Sequence, residues 1–269
     1  MMKKLLSILL FCAGSVLAET FTPAVSIAAS ELREVASAKT GTRYELFVSL
    51  PEGYATSQQQ YPVLYALDGW HFPLLAFLQN NSRFSKRMPP VIIVNVSHGA
   101  KNAIALRTRD FTPSAVTSVP GSGGAPAFLE FMEQELIPLI DKTYRTNPGD
   151  RALVGHSYGG LFALYALQQR PALFQRIVSV SPTIGWDDKR FFSPDSFKEF
   201  ASPVRLDLSV GSDERFAKEV LEFAAKLDRL KPRGLTYRMT VYPNEEHNSV
   251  RVPAFSSGLY WVYGWVPKS

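Results

Sequence analysis

The strongest constraint on this chain is a succession of short, almost uninterrupted apolar runs separated by helix-patterned stretches. Tyr61 to Leu67 (YPVLYAL) and Val91 to Val96 (VIIVNV) show no regular polar alternation, which predicts strands buried on both faces of a parallel sheet. Arg151 to Gly155, Arg176 to Val180, Val204 to Val210 and Leu235 to Tyr242 extend the series. Tyr44 to Leu50 (YELFVSL) alternates instead and predicts an early strand, paired antiparallel. Helices are expected between the runs. Ala125 to Tyr144 carries apolar residues at helical spacing, with a kink expected at Pro138, and Leu161 to Gln169 is stopped by Pro171. Glu214 to Leu230 is amphipathic. This alternation predicts an α/β fold, a mostly parallel central sheet flanked by helices in a single domain. Thr112 to Gly124, rich in Pro, Ser and Gly, reads as a long loop bordering a site, and Phe191 to Phe200 as an insertion that can form part of a lid.

The first 18 residues stand apart. Lys3 and Lys4 precede an apolar run from Leu5 to Leu17 that ends Val16-Leu17-Ala18. A basic start, a short apolar stretch and small residues before a cut predict a signal peptide, cleaved after Ala18. The run is too short to span about 30 Å of hydrocarbon, so no stable membrane anchor is expected. Phe11 before Cys12 argues against lipidation. The working chain is then expected to be residues 19–269, exported to a periplasm. Its sole cysteine, Cys12, goes with the leader, which removes cysteine nucleophiles and thiolate metal sites from consideration. Loss of Lys3 and Lys4 lowers the net charge from +5 to 27 basic less 24 acidic residues, or +3, too weak and scattered for a nucleic-acid partner. With 46% hydrophobic and 20% charged residues, the composition is that of a folded globule, not a disordered chain.

Gly155-His156-Ser157-Tyr158-Gly159-Gly160 contains G-x-S-x-G between an apolar strand and a helix, the context of a nucleophile elbow. A sharp, strained turn lifts the Ser157 hydroxyl above the sheet, while Gly155 and Gly159 are expected to let neighbouring backbones approach. The helix that follows aims its first amides at developing negative charge. Without further partners, such a motif is merely a glycine-rich connection.

A serine nucleophile needs a base, and the chain has four histidines. His156 adjoins Ser157 and is expected to be structural. His98 reads as a loop histidine, and His71 can touch substrate. His247 follows the last predicted strand, which matches the order serine, acid, histidine of the α/β-hydrolases. After Val204 to Val210 come Asp213 and Glu214. Either can orient the imidazole, with Glu214 slightly favoured, and either can simply cap or fill the first turn of the next helix. A Ser–His pair with no strong acid stays open. The oxyanion hole is expected from the backbone N–H groups of Tyr158 and Trp70, with Asp68 bracing the turn before Trp70.

At this point the chain resembles the esterase D-like family of the α/β-hydrolases. The resemblance rests on Tyr61 to Gly69, on Arg107-Thr108-Arg109-Asp110-Phe111-Thr112-Pro113, and on Glu135 to Pro138. Gly155 to Gly160, Ser181-Pro182 and the late His247 complete it. The leader and the R-x-R-D-F-T-P segment make it most similar to periplasmic esterases of catecholate siderophores, of the enterobactin type. That resemblance implies hydrolysis of a serine trilactone by Ser157 and His247, with Arg107 helping to bind the anionic iron–catecholate. Arg109 and Trp186 can add charge and a stacking face, although Arg107 and Arg109 can equally be structural partners of Asp110 or of glutamates. Relatives often carry a Trp-rich stretch after Ser181-Pro182, and here Trp186 stands alone. No cofactor or protein-bound metal is expected, since any iron would arrive with the small-molecule substrate. The alternatives are an esterase of feruloyl or acetyl esters, or a hydrolase fold that binds a ligand without turning it over.

Overall fold

The computed structural model describes residues 27, 29–99, 101–189, 197 and 199–264. The expected leader, residues 1–18, lies outside them, as does most of the expected lid insertion.

Eight strands form one sheet: β1 (Ser30–Ala36), β2 (Arg43–Ser49), β3 (Tyr61–Leu67), β4 (Ile92–Ser97), β5 (Thr146–His156), β6 (Arg176–Val180), β7 (Glu199–Gly211) and β8 (Arg233–Tyr242). Their order is β1-β2-β4-β3-β5-β6-β7-β8. β1 pairs with β2, and β2 with β4, antiparallel; all other pairs are parallel. The apolar runs of β3 to β7 lie in the middle of the sheet, where both faces are covered, whereas Leu235 to Tyr242 falls in β8, a half-exposed edge strand. On β3, Val63, Tyr65 and Leu67 enter one core while Leu64 and Ala66 enter the other. The first core is closed by helices α3 (Ala125–Phe131), α4 (Ile137–Thr143), α5 (Tyr158–Gln169) and α6 (Ala217–Leu230). The second is closed by α1 (Phe72–Ser85) and α7 (Arg251–Val262). A short α2 (Ala103–Asp110) follows β4.

Several expectations are corrected. Glu199 and Phe200 belong to β7 rather than to an insertion. Beside Pro138, where a kink is expected, the helix is irregular rather than interrupted: a π-helical turn, Met132–Leu136, joins α3 to α4. Pro138 has no N–H for the bond to residue 134, and the widened turn absorbs that loss and the ring's bulk. α5 starts at Tyr158, three residues earlier than expected, and α6 starts at Ala217, three residues later.

The chain passes from β3 outward to β4, then returns past β3 to β5. A reversal of this kind opens a crevice at the carboxyl ends of the strands, between β3 and β5. Asp68 and Trp70 follow β3 there, and Ser157 follows β5.

Candidate active site

β5 ends at His156, and the next residue, Ser157, has φ 59° and ψ −119°, a conformation few L-residues adopt. Two bonds hold it there: Ser157 N–H donates to Val180 O (3.0 Å), and Leu161 N–H to Ser157 O (2.9 Å). A Cβ on Gly155 would press into the Gly159 carbonyl group, so position 155 must be glycine. Gly159 differs from expectation. It has room for a Cβ, with Asp68 Oδ2 at 3.4 Å among the nearest atoms, and what matters is its backbone's approach to Gly155. Tyr158 opens α5, so its N–H has no intrahelical acceptor.

On the facing side, Asp68 (φ 69°) turns the chain into a 3₁₀ turn, Gly69–His71. Trp70 N–H points out of the start of this turn, since the first internal bond is His71 N–H to Asp68 O. Asp68 does more than brace this turn through its backbone. Its buried carboxylate accepts two bonds from Arg107, Nε at 2.6 Å and Nη2 at 2.9 Å, and Arg107 Nη2 also donates to His156 O at 3.1 Å.

His247 lies in the loop between β8 and α7. Its Nδ1 is 2.6 Å from Glu214 Oε2. Glu214 Oε1 accepts from Ser181 Oγ (2.6 Å) and from the Gly211 N–H (2.6 Å). Burial opposes ionisation of Glu214, but the bonds from His247, Ser181 and Gly211 outweigh it and hold the carboxyl below its ordinary value. Asp213 is exposed; its Oδ1 accepts from Ser212 Oγ, and its N–H donates to Glu245 O at 3.1 Å. Of the two carboxylates after β7, Glu214 is therefore the one in contact with the imidazole.

Ser157, Tyr158, Thr183, Arg215, Phe216 and His247 line one open cavity of about 600 Å³. The Phe216 ring stands edge-on to His247, centroids 5.2 Å apart. Sequence reasoning missed Ser181, Arg215 and Phe216. For Arg215 and Phe216 the available signal was adjacency to Glu214 at the end of β7.

The expected substrate-binding residues are placed otherwise. Arg107 is committed to Asp68, not to Asp110 or a glutamate. Arg109 donates to Asp110 Oδ1 (2.7 Å) and Thr42 Oγ1 (2.7 Å). Neither arginine lines the cavity, because each guanidinium satisfies a fully buried carboxylate. Trp186 is only 6% exposed, donates its Nε1–H to Ser114 and meets the Tyr158 ring edge-on, so it offers no free face. That contact brings the Thr112 to Gly124 loop against the site. His98 lies just past the end of β4, a loop position as expected, but its ring is buried, with Nε2 3.0 Å from Asp110 Oδ2. His71 is buried and held neutral, first by burial, and donates Nδ1–H to Leu67 O (3.0 Å). Among the described residues, no group of three or more His, Cys, Asp or Glu side chains is arranged to hold a metal.

A family model described as "Putative esterase" matches residues 37–267. The chain belongs to this esterase family. It is a carboxylic ester hydrolase on an α/β-hydrolase fold. Among the esterase's relatives, the Bacillus subtilis ferri-bacillibactin esterase BesA is 29% identical over 255 residues, covering 84% of this chain and 87% of the relative. The Aspergillus fumigatus siderophore triacetylfusarinine C esterase is 30% identical over 81% of this chain and 88% of its own. The crystal structure of an IroE-like serine hydrolase from Shewanella oneidensis superposes with a TM-score of 0.78 at 29% identity, covering 87% of this chain and 80% of the other.

Proposed function

We propose that this esterase is a periplasmic serine hydrolase that opens the ester bonds of a siderophore, a catecholate trilactone of the enterobactin type, so that its iron can be released. The observation that carries the reading is the Glu214–His247 contact in the same cavity as a strained Ser157. His247 Nδ1–H bonded to Glu214 leaves Nε2 as an acceptor. His247 Nε2 takes the Ser157 proton as Oγ attacks the ester carbonyl, and the Tyr158 and Trp70 N–H groups hold the oxyanion. The tetrahedral intermediate collapses, His247 H⁺ protonates the leaving alkoxide, and water repeats the sequence to release the acid and free serine. Glu214 stabilises the imidazolium throughout.

Two relatives near 30% identity are named for siderophore ester cleavage, which favours that substrate class. Arg215 on the cavity wall supports an anionic ligand, with its guanidinium 4.5 Å from the Phe216 ring centroid. The export reading rests on the leader pattern of Lys3 to Ala18; fractionation that finds the protein in the cytoplasm refutes it. For the chemistry, Ser157→Ala is expected to lose turnover while folding normally, and retained turnover in a folded sample removes Ser157 as nucleophile. A fluorophosphonate probe should label the native protein; no labelling would favour a binder. Comparison of kcat/KM for ferric enterobactin, a feruloyl ester and a short p-nitrophenyl ester tests the substrate. A siderophore no better than the generic ester defeats that part of the proposal.

A further inference from the structure

His156 is buried at the end of β5, one residue before Ser157, and is absent from the cavity wall. Its backbone is fixed by the sheet, in register with Val180 of β6. Its side chain reaches the site by a different route: Nε2 lies 2.6 Å from the backbone carbonyl oxygen of His247. A carbonyl can only accept, so Nε2 carries the hydrogen. The two imidazole rings also pack, with centroids 4.5 Å apart and planes inclined at 43°. Burial, then the neighbouring His247 and His71, push the basicity of His156 down to about 2, so the ring stays neutral and keeps this tautomer. Behind it His71 stands edge-on at 6.2 Å, fixed in turn by Leu67 O and by the Trp70 Nε1–H, 3.1 Å from its Nε2.

We propose that His156 is a positioning residue for the general base, tying the His247 loop to the nucleophile elbow so that one residue sets the spacing of Ser157 and His247. The inference rests on the reading of Ser157 and His247 given above. Residues 243–250 belong to no strand or helix, whereas β5 is paired on both sides. The rigid partner therefore holds the less constrained one. Glu214 fixes which nitrogen of His247 carries the proton, and His156 fixes where its backbone sits.

Purified esterase carrying His156→Phe, His156→Asn, His156→Gln or Ser157→Ala is compared with wild type for kcat and KM on p-nitrophenyl butyrate, labelling rate with a fluorophosphonate, and thermal midpoint. Phenylalanine keeps the ring and loses the donor, and asparagine keeps an amide that falls short of the carbonyl. Both are expected to lower kcat by about 10- to 100-fold with KM within about twofold, because misplacement near 1 Å costs on that order. Labelling should slow in parallel. Glutamine places its amide nitrogen near the position of Nε2 and is expected to recover kcat to within about fivefold of wild type. The proposal is overturned if folded Phe or Asn variants keep kcat within about threefold of wild type, or if Gln loses as much as they do. Should the Phe variant not fold, the Asn and Gln pair decides. Turnover by Ser157→Ala would instead overturn the underlying reading of the site.

Discussion

Replacing Glu214 by glutamine separates charge from shape at the carboxylate that accepts from His247 Nδ1. Glu214 Oε1 already accepts from Ser181 Oγ and from the Gly211 N–H, both at 2.6 Å. The Gly211 N–H can only donate, so the glutamine must put its carbonyl there and turn its NH₂ toward His247 Nδ1. That face then donates, Nδ1 must accept, and the proton moves to Nε2. An imidazole with hydrogen on Nε2 cannot take the Ser157 proton. The same inversion at the acid of a serine protease costs about 10⁴ in kcat. A loss of about 10³–10⁴ is expected here, or about 4–5.5 kcal/mol of transition-state stabilisation. Glu214→Ala lacks the misdirected donor and is expected to lose less than Glu214→Gln, an ordering that a purely electrostatic role for Glu214 would not produce. Steady-state hydrolysis of a p-nitrophenyl ester, with pre-steady-state release of p-nitrophenolate, reads both steps. Asp213→Asn is the internal control, because that side chain is exposed and bonded to Ser212. A Glu214→Gln enzyme that keeps a tenth or more of wild-type kcat, or an Asp213→Asn enzyme that loses as much, would refute the reasoning.

Other perturbations test the scaffold and the mouth of the site. Asp110 is fully buried and accepts from Arg109, Tyr44 and His98; burial raises its pKa, but these partners outweigh it and hold the carboxyl below 3.8. Asp110→Asn should therefore cost about 3 kcal/mol at neutral pH, since it leaves buried partners uncompensated. The folded state binds this proton less readily than the unfolded one, so the wild-type advantage is complete above 3.8 and disappears as pH falls through the lower folded value. Urea unfolding of both proteins from pH 7 to pH 3 should show the curves converge, and parallel curves would contradict it. Arg107→Lys loses the two-pronged grip on Asp68 and is expected to lower kcat by about tenfold, or 1.4 kcal/mol, with little change in KM; a rise in KM confined to an anionic ester would return Arg107 to substrate binding. Arg215→Gln should raise KM for an anionic ester by about two- to fivefold, the scale of one exposed charge. Equal effects on an anionic ester and on p-nitrophenyl acetate would exclude that role.

How far the chain could be read before its structure depended on where each residue ends up. β6 was legible to the residue because Arg176–Val180 is covered on both faces and shows as an apolar run. β1 was not, because SELREVA is an exposed edge with charges on both sides and thus has no periodicity to detect. α1 and α7 were missed because Asn80-Asn81 in one and Ser256-Ser257-Gly258 in the other blur the helical pattern, and packing on the sheet overrides weak propensity. The strand–turn–helix context at Ser157 was legible from order alone. The choice between Asp213 and Glu214 was not, since adjacent carboxylates differ only in which one turns toward Ser181 and Gly211. The partner of Arg107 was not legible for a related reason: Asp68 lies 39 residues upstream and is brought near by the β3–β4 crossover.

The contacts around the cavity share a pattern that apolar packing alone does not provide. Hydrophobic burial holds the two faces of the sheet, but it is non-directional and cannot fix a donor to a fraction of an ångström. At the carboxyl edge each loop is instead fixed to its neighbour by short polar bonds. Arg107 joins α2 to the turn after β3, and Ser181 joins the end of β6 to Glu214. Asp213 N–H joins the β7 loop to Glu245, and His156 joins β5 to His247. Asp68, Ser181, Glu214 and His156 are buried, so leaving one of them unpaired carries a desolvation cost as well as a loss of geometry. Substitutions here should therefore reduce kcat out of proportion to their effect on the thermal midpoint, whereas truncation of Phe162 or Leu153 in the core should do the reverse.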